Sequence, residues 1–131
     1  MTTFESKVTI NLPANTIYNF LSDFNNHQQL MPENIQNWTS TFNTAAFAIQ
    51  NMGSISLKID SRTENNKIVI IPDQKPPFDM ELKWELAENG EDTLVAFTIS
   101  AELNMMLKML ASGPLQKLAD HETSALVSVI K

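Results

Sequence analysis

The sequence predicts an α+β fold in which a curved seven-stranded antiparallel sheet packs one face against a long C-terminal helix, with two short helices after strand 1. Three observations predict it. Apolar and polar residues alternate with a period of two along most of the chain. One early segment departs from that period and shows helical spacing. The C-terminal segment carries a single apolar stripe at about 100° per residue.

The elements follow in order. Phe4, Val8, Ile10 and Leu12 alternate with Glu5, Lys7, Thr9 and Asn11, the pattern of a strand with one buried face. "LPANTIYNFLSDFNNHQQLMPE" then places Ile17, Phe20, Leu21 and Phe24 at helical spacing behind Pro13, with a second short turn from about Asn26 to Leu30. Residues 35–42, 45–51 and 67–72 are weaker strand segments with blurred parity. Ile55, Leu57 and Ile59 follow Gly53 in clean alternation, as do Phe78, Met80, Leu82, Trp84 and Leu86. Asn89-Gly90 suits a tight type I′ hairpin into Val95, Phe97, Ile99, Ala101 and Leu103. Gly113-Pro114 reads as a helix break, so the last helix is expected over residues 114–130, with Leu115, Leu118, Ala119, Leu126, Val129 and Ile130 on one stripe. A sheet with one wet face favours antiparallel pairing.

Composition bounds the function. A chain of 131 residues with 43% hydrophobic and 18% charged residues is expected to form one globular domain, residues 1–131. With no cysteine there is neither a disulfide framework nor a thiolate metal site. A net charge of −6, with Arg62 the single arginine, lacks the basic footprint of a nucleic-acid binder. No stretch approaches the roughly 18 apolar residues of a transmembrane segment, and "MTTFESKVTINL" does not read as a signal peptide, so a cytoplasmic protein is expected. Phosphate-cradling loops, dinucleotide fingerprints and nucleophile elbows are absent from the sequence, and no cofactor is expected. His121 and His27 have no metal-ligand spacing, and no metal is expected.

Three pieces together carry a family resemblance: "VTINLPANTIYNFLSDFNNHQQLMPE", the hairpin "KWELAENGEDTLVAFTI", and the amphipathic C-terminal helix. In this order they resemble the helix-grip fold of the START/SRPBCC superfamily, which includes polyketide cyclase-like and birch-pollen-allergen-like proteins. The resemblance covers nearly the whole chain. It implies an apolar cavity between the sheet and the long helix, and hence binding or carriage of a hydrophobic small-molecule ligand, lipid-like or polycyclic. Two alternatives stand beside this: a polyketide cyclase or dehydratase-like enzyme using Glu122 or His121, and an acidic protein-interaction module with a filled core.

The residues available to line such a cavity are Phe47, Leu57, Ile59, Met80, Trp84, Phe97, Met106, Met109, Leu118 and Glu122. Met105, Met106 and Met109 suit an adaptable apolar wall facing the cavity mouth or floor, or plain gap-filling. Glu122 falls near the centre of the C-terminal stripe, where an unpaired carboxylate is costly. It either enters a cavity, lies on an exposed edge, or forms an ion pair. Candidate acid/base groups are Glu122, His121 and Tyr18. Trp84 points inward with Met80 and Leu82, and Trp38 is placed to cover a cavity entrance. Arg62 reads as a strand-surface charge.

Overall fold

The computed structural model describes residues 1–49, 53–75 and 78–130. β1 (Thr2–Ile10) leads through Pro13 into α1 (Ala14–Leu21), α2 (Phe24–His27) and a 3-10 turn (Gln28–Leu30). Six strands follow: β2 (Ile35–Ser40), β3 (Thr44–Ile49), β4 (Gly53–Thr63), β5 (Lys67–Pro72), β6 (Met80–Asn89) and β7 (Asp92–Ala101). α3 (Met105–Val129) closes the order. The expected end of the third strand, residues 50 and 51, lies outside the described residues.

All neighbours in the sheet are antiparallel, in the order β1-β7-β6-β5-β4-β3-β2. The sheet curls into a half-barrel whose concave face holds the core. Period-two alternation sets that face: Met80, Leu82, Trp84 and Leu86 are buried on β6, while Glu81, Lys83 and Glu85 point outward. Registered partners extend the apolar rows across strands. Trp84 sits opposite both Phe97 and Ile68, and stacks on Phe97 with ring centroids 4.2 Å apart. α3 crosses β1 and β7 and touches the 3-10 turn.

Two strands carry register shifts that re-aim side chains. In β2 the shift between Gln36 and Thr39 includes Asn37 at φ 58°, so that Ile35 and Trp38, three apart, both face inward. In β4 the shift between Ile59 and Ser61 places Arg62 opposite the buried Ile68. Its guanidinium donates to the Ser22 carbonyl at 2.6 Å and to Asn43 Oδ1 at 2.8 Å, and lies 4.7 Å from the Phe42 ring centroid. Arg62 therefore clamps the end of α1 to the β2–β3 loop and is more than a surface charge.

Caps position the early helices. The Glu88 carboxylate accepts from the Ala14 N–H at 3.0 Å, satisfying a donor that Pro13 as N-cap has no side chain to meet. Asp23 caps α2 by accepting from the Asn25 N–H.

Two local expectations are corrected. The last helix begins at Met105, nine residues before Pro114, and runs through Gly113-Pro114. Asn104 caps its start by accepting from the Leu107 N–H at 2.9 Å, and the residues from Met105 to Ser112 are mostly good helix formers. Pro114 deprives the Leu110 carbonyl of its helical donor, but Leu110 is exposed, so that carbonyl is open to solvent rather than buried without a partner. The β6–β7 turn is not type I′. Asn89 pairs with Asp92, so the loop is Gly90-Glu91, with a positive φ at Gly90 alone (67°), as in a type II′ turn.

Candidate functional site

Counted at about 100° per residue, Ala111, Leu115, Leu118, Ala119, Glu122 and Leu126 form one stripe of α3, and all are buried against the sheet. Leu118 and Glu122 line an internal cavity of about 20 Å³. The opposite wall comes from the concave face of the sheet: Phe47, Leu57, Ile70, Leu82, Trp84 and Phe97. Phe24, His27, Met31 and Trp38 complete it from the helical turns and from β2. A cavity of this size has room for about one or two water molecules.

Met31 and Trp38 are the partly exposed members of the lining and mark its mouth. Trp38 stacks on Phe47, with ring centroids 5.4 Å apart and planes 14° from parallel. Its indole N–H donates to Ser40 Oγ at 3.0 Å, and Ser40 in turn donates to Asn25 Oδ1 at 2.7 Å. This relay fastens the edge strand to α2 across the mouth. On the α3 side, His121 Nδ1 donates to the Leu30 carbonyl at 3.0 Å, holding the turn that precedes Met31.

Glu122 is 3% exposed. Burial alone pushes its carboxyl up to about 8, with no hydrogen bond or neighbouring charge contributing. It is therefore a neutral carboxylic acid at pH 7, able to donate and accept one hydrogen bond within an apolar wall. His27 is the second titratable group on the lining. Burial lowers it to about 4, opposed by its hydrogen bond to the Leu21 carbonyl and by the Asp23 charge. Nε2 lies 2.8 Å from that carbonyl, which can only accept, so the proton sits on Nε2 and Nδ1 is bare. The cavity thus presents two ionisable side chains, both uncharged.

Of the residues expected to line a cavity, Phe47, Leu57, Trp84, Phe97, Leu118 and Glu122 meet around one space. Met80 is buried and Ile59 partly buried, but neither reaches it. Met106 and Met109 face solvent, at 71% and 82% exposure. The turn they occupy is helical, and they point about 130–170° away from the packed stripe. His121 and Tyr18 lie off the lining as well. His121 precedes Glu122 by one position on the helix, and such neighbours do not face each other. Sequence reasoning missed His27, Phe24, Met31, Ile70 and Leu82. The signal for His27 was its place one turn after Phe24 in an apolar-facing helix. Among the described residues, no cluster of His, Asp or Glu has metal-binding geometry, and no helix is long and apolar enough to cross a membrane.

No protein-family model and no curated protein matches this sequence. Solved structures do match in shape. A START superfamily protein from Mycobacterium smegmatis is similar at 20% identity, covering 98% of this chain and 96% of that one, with a TM-score of 0.71. XoxI from Bacillus cereus is similar at 13% identity, 99% and 96% coverage, and a TM-score of 0.77. Aha1 from Colwellia psychrerythraea, solved as a dimer, is similar at 17% identity, 98% and 93% coverage, and a TM-score of 0.65. The long helix held in the curled sheet, together with these matches over almost the full length of each partner, establishes that the chain has the START/SRPBCC helix-grip fold.

Proposed function

We propose that residues 1–131 act as one domain that binds a hydrophobic small molecule between the sheet and α3, with Glu122 meeting a neutral polar group of the ligand. The observation that carries this reading is the Glu122 carboxyl itself, buried on an apolar cavity wall where desolvation favours its neutral form. A leucine at that position would satisfy the stripe at lower cost, so the acid serves something other than packing. The START superfamily neighbour supports the reading at the level of fold.

The cavity of about 20 Å³ is far below the roughly 300–1,000 Å³ of typical ligand pockets. Binding therefore requires widening at Met31 and Trp38, the lining residues that already reach the surface. The same small volume favours one other reading, an interaction module with a filled core. An acid/base enzyme would have to pair Glu122 with His27, since His121 and Tyr18 are elsewhere.

Dodecanol and dodecane separate these readings. Each binds only the native state, so each raises the melting temperature with concentration, and dodecanol does so at lower concentration because its hydroxyl meets Glu122. Glu122→Leu removes the advantage of the alcohol. Trp38 fluorescence shifts as the mouth opens. If neither probe moves the melting temperature and solvent extraction of the purified protein yields no apolar molecule, the filled-core reading replaces this one.

A further inference from the structure

Among the described residues, three buried side-chain polar atoms have no hydrogen-bond partner within the protein: Ser22 Oγ, Arg62 Nε and Trp84 Nε1. The first two belong to the clamp at the end of α1. Trp84 differs, because its ring lines the cavity. Phe97 stacks on the indole with centroids 4.2 Å apart, and the His27 ring stands at 85° to it, so the ring is held in place and fully buried. An indole N–H can only donate, and a buried donor without a partner is costly.

The other polar groups of the lining are mostly spent. The Trp38 N–H goes to Ser40 Oγ, and His27 Nε2 to the Leu21 carbonyl. What remains is the Glu122 carboxyl, the Trp84 N–H and the bare His27 Nδ1. None of the lining residues is Lys or Arg, and the chain carries a net charge of −6. An anionic headgroup would enter without a counter-charge and against the field of the protein. An ammonium, which only donates, would leave the indole N–H still unpaired. A carbonyl oxygen has two lone pairs and no proton of its own, so it takes one hydrogen bond from each donor and needs no further partner.

We infer that the Trp84 indole N–H and the Glu122 carboxyl act as paired donors to one carbonyl oxygen, so that the ligand is an apolar carbonyl compound of the ketone or ester class. This rests on the proposed binding function and adds to it a second contact residue and a ligand chemistry. β6 and α3 supply one donor each, from opposite walls of the cavity. The pair fixes where the carbonyl stops between sheet and helix, and the apolar remainder of the wall receives the rest of the ligand.

The test compares 2-dodecanone, dodecane and dodecanoate as probes of the full chain at pH 7, by the rise in melting temperature with concentration. The ketone should bind more tightly than the alkane, and dodecanoate should give no rise. Trp84→Phe and Glu122→Leu should each cut the preference for ketone over alkane about fivefold, the worth of one hydrogen bond. The infrared carbonyl stretch of bound 2-dodecanone should lie below its value in hexane. In Glu122→Leu part of that lowering should persist, because the Trp84 N–H still donates, and this arm leaves the packing of Trp84 on Phe97 untouched. A stretch that returns to the hexane value in Glu122→Leu overturns the inference, as does a ketone preference that Trp84→Phe leaves unchanged. Ketone and alkane stabilising alike also overturns it, while leaving the binding function standing. A rise with dodecanoate equal to that with the ketone overturns it in favour of an anion site. If none of the probes moves the melting temperature, the binding function fails and this inference with it.

Discussion

Arg62 reaches across forty residues of chain to Ser22, its Nη2 donating to the Ser22 carbonyl at 2.6 Å. The same guanidinium nitrogen donates to Asn43, and the flat group lies over Phe42. One side chain thus anchors the end of α1, a bulged strand and the loop beside the cavity mouth. Arg62→Lys keeps the charge but loses the planar fork, so it should recover little of what Arg62→Ala loses. We expect both variants to lose about 1–3 kcal/mol in urea unfolding, the scale of charge-assisted hydrogen bonds. A lysine variant as stable as the parent would show that charge alone matters there.

The two neutral ionisable groups on the cavity wall give stability a defined pH profile. Glu122 has its folded value raised from 4.5 to about 8. Its contribution is complete below 4.5 and is lost as pH rises toward 8, because the unfolded chain releases the proton first. His27 has its folded value lowered from 6.5 to about 4. Its contribution is complete above 6.5 and is lost as pH falls toward 4, because the unfolded chain takes up the proton first. Between about 4.5 and 6.5 the two slopes oppose and cancel. Above 6.5 only Glu122 remains, and stability should fall by about 1.4 kcal/mol per pH unit until pH 8. Glu122→Gln should abolish that decline and stabilise the protein at pH 7 by about 1–3 kcal/mol. Urea unfolding of both proteins from pH 4 to pH 9 measures it, and a parent curve that is flat from 6.5 to 8 would show Glu122 to be ionised in the fold.

Gly113 lies inside α3 without a positive φ, and a Cβ built on it meets nothing within 4 Å. Gly113→Ala should therefore stabilise the protein by about 0.5–1 kcal/mol through helix propensity and a less flexible unfolded chain. The same change should slow amide hydrogen exchange in residues 105–112, which hold to the body through few side chains, more than in residues 115–126. Equal slowing in both halves would mean that α3 opens as one unit.

Much of this arrangement is legible in the residues themselves. The strict alternation of β6 and β7 reveals their inward faces because both strands run unbroken in register. β2 resists the same treatment: the shift at Asn37 resets its parity, so Ile35 and Trp38 face the same side at a spacing no flat strand allows. Glu122 announces itself by interrupting an apolar stripe. His27 offers only its place one turn after Phe24, because which way a four-residue helix turns depends on the Trp84 and Phe24 rings packed around it. The methionines mislead for a related reason. Their spacing is that of a helix, but whether that helix meets the sheet or outruns it is decided by the width of the sheet, which no local pattern records.

The pairing of β1 with β7 has a consequence for synthesis. β1 emerges from the ribosome before every other strand, yet its sole neighbour in the sheet is the last strand made, with Val8 opposite Val95 and Phe4 opposite Ile99. At about 5–20 residues per second, β1 waits on the order of 5–20 seconds for that partner. Throughout that interval Phe4, Val8 and Ile10 form an unpaired apolar strand edge on the nascent chain, open to holdase chaperones and to the strands of neighbouring chains. A circular permutant that places β1 directly after α3 would deliver it when β7 is already waiting.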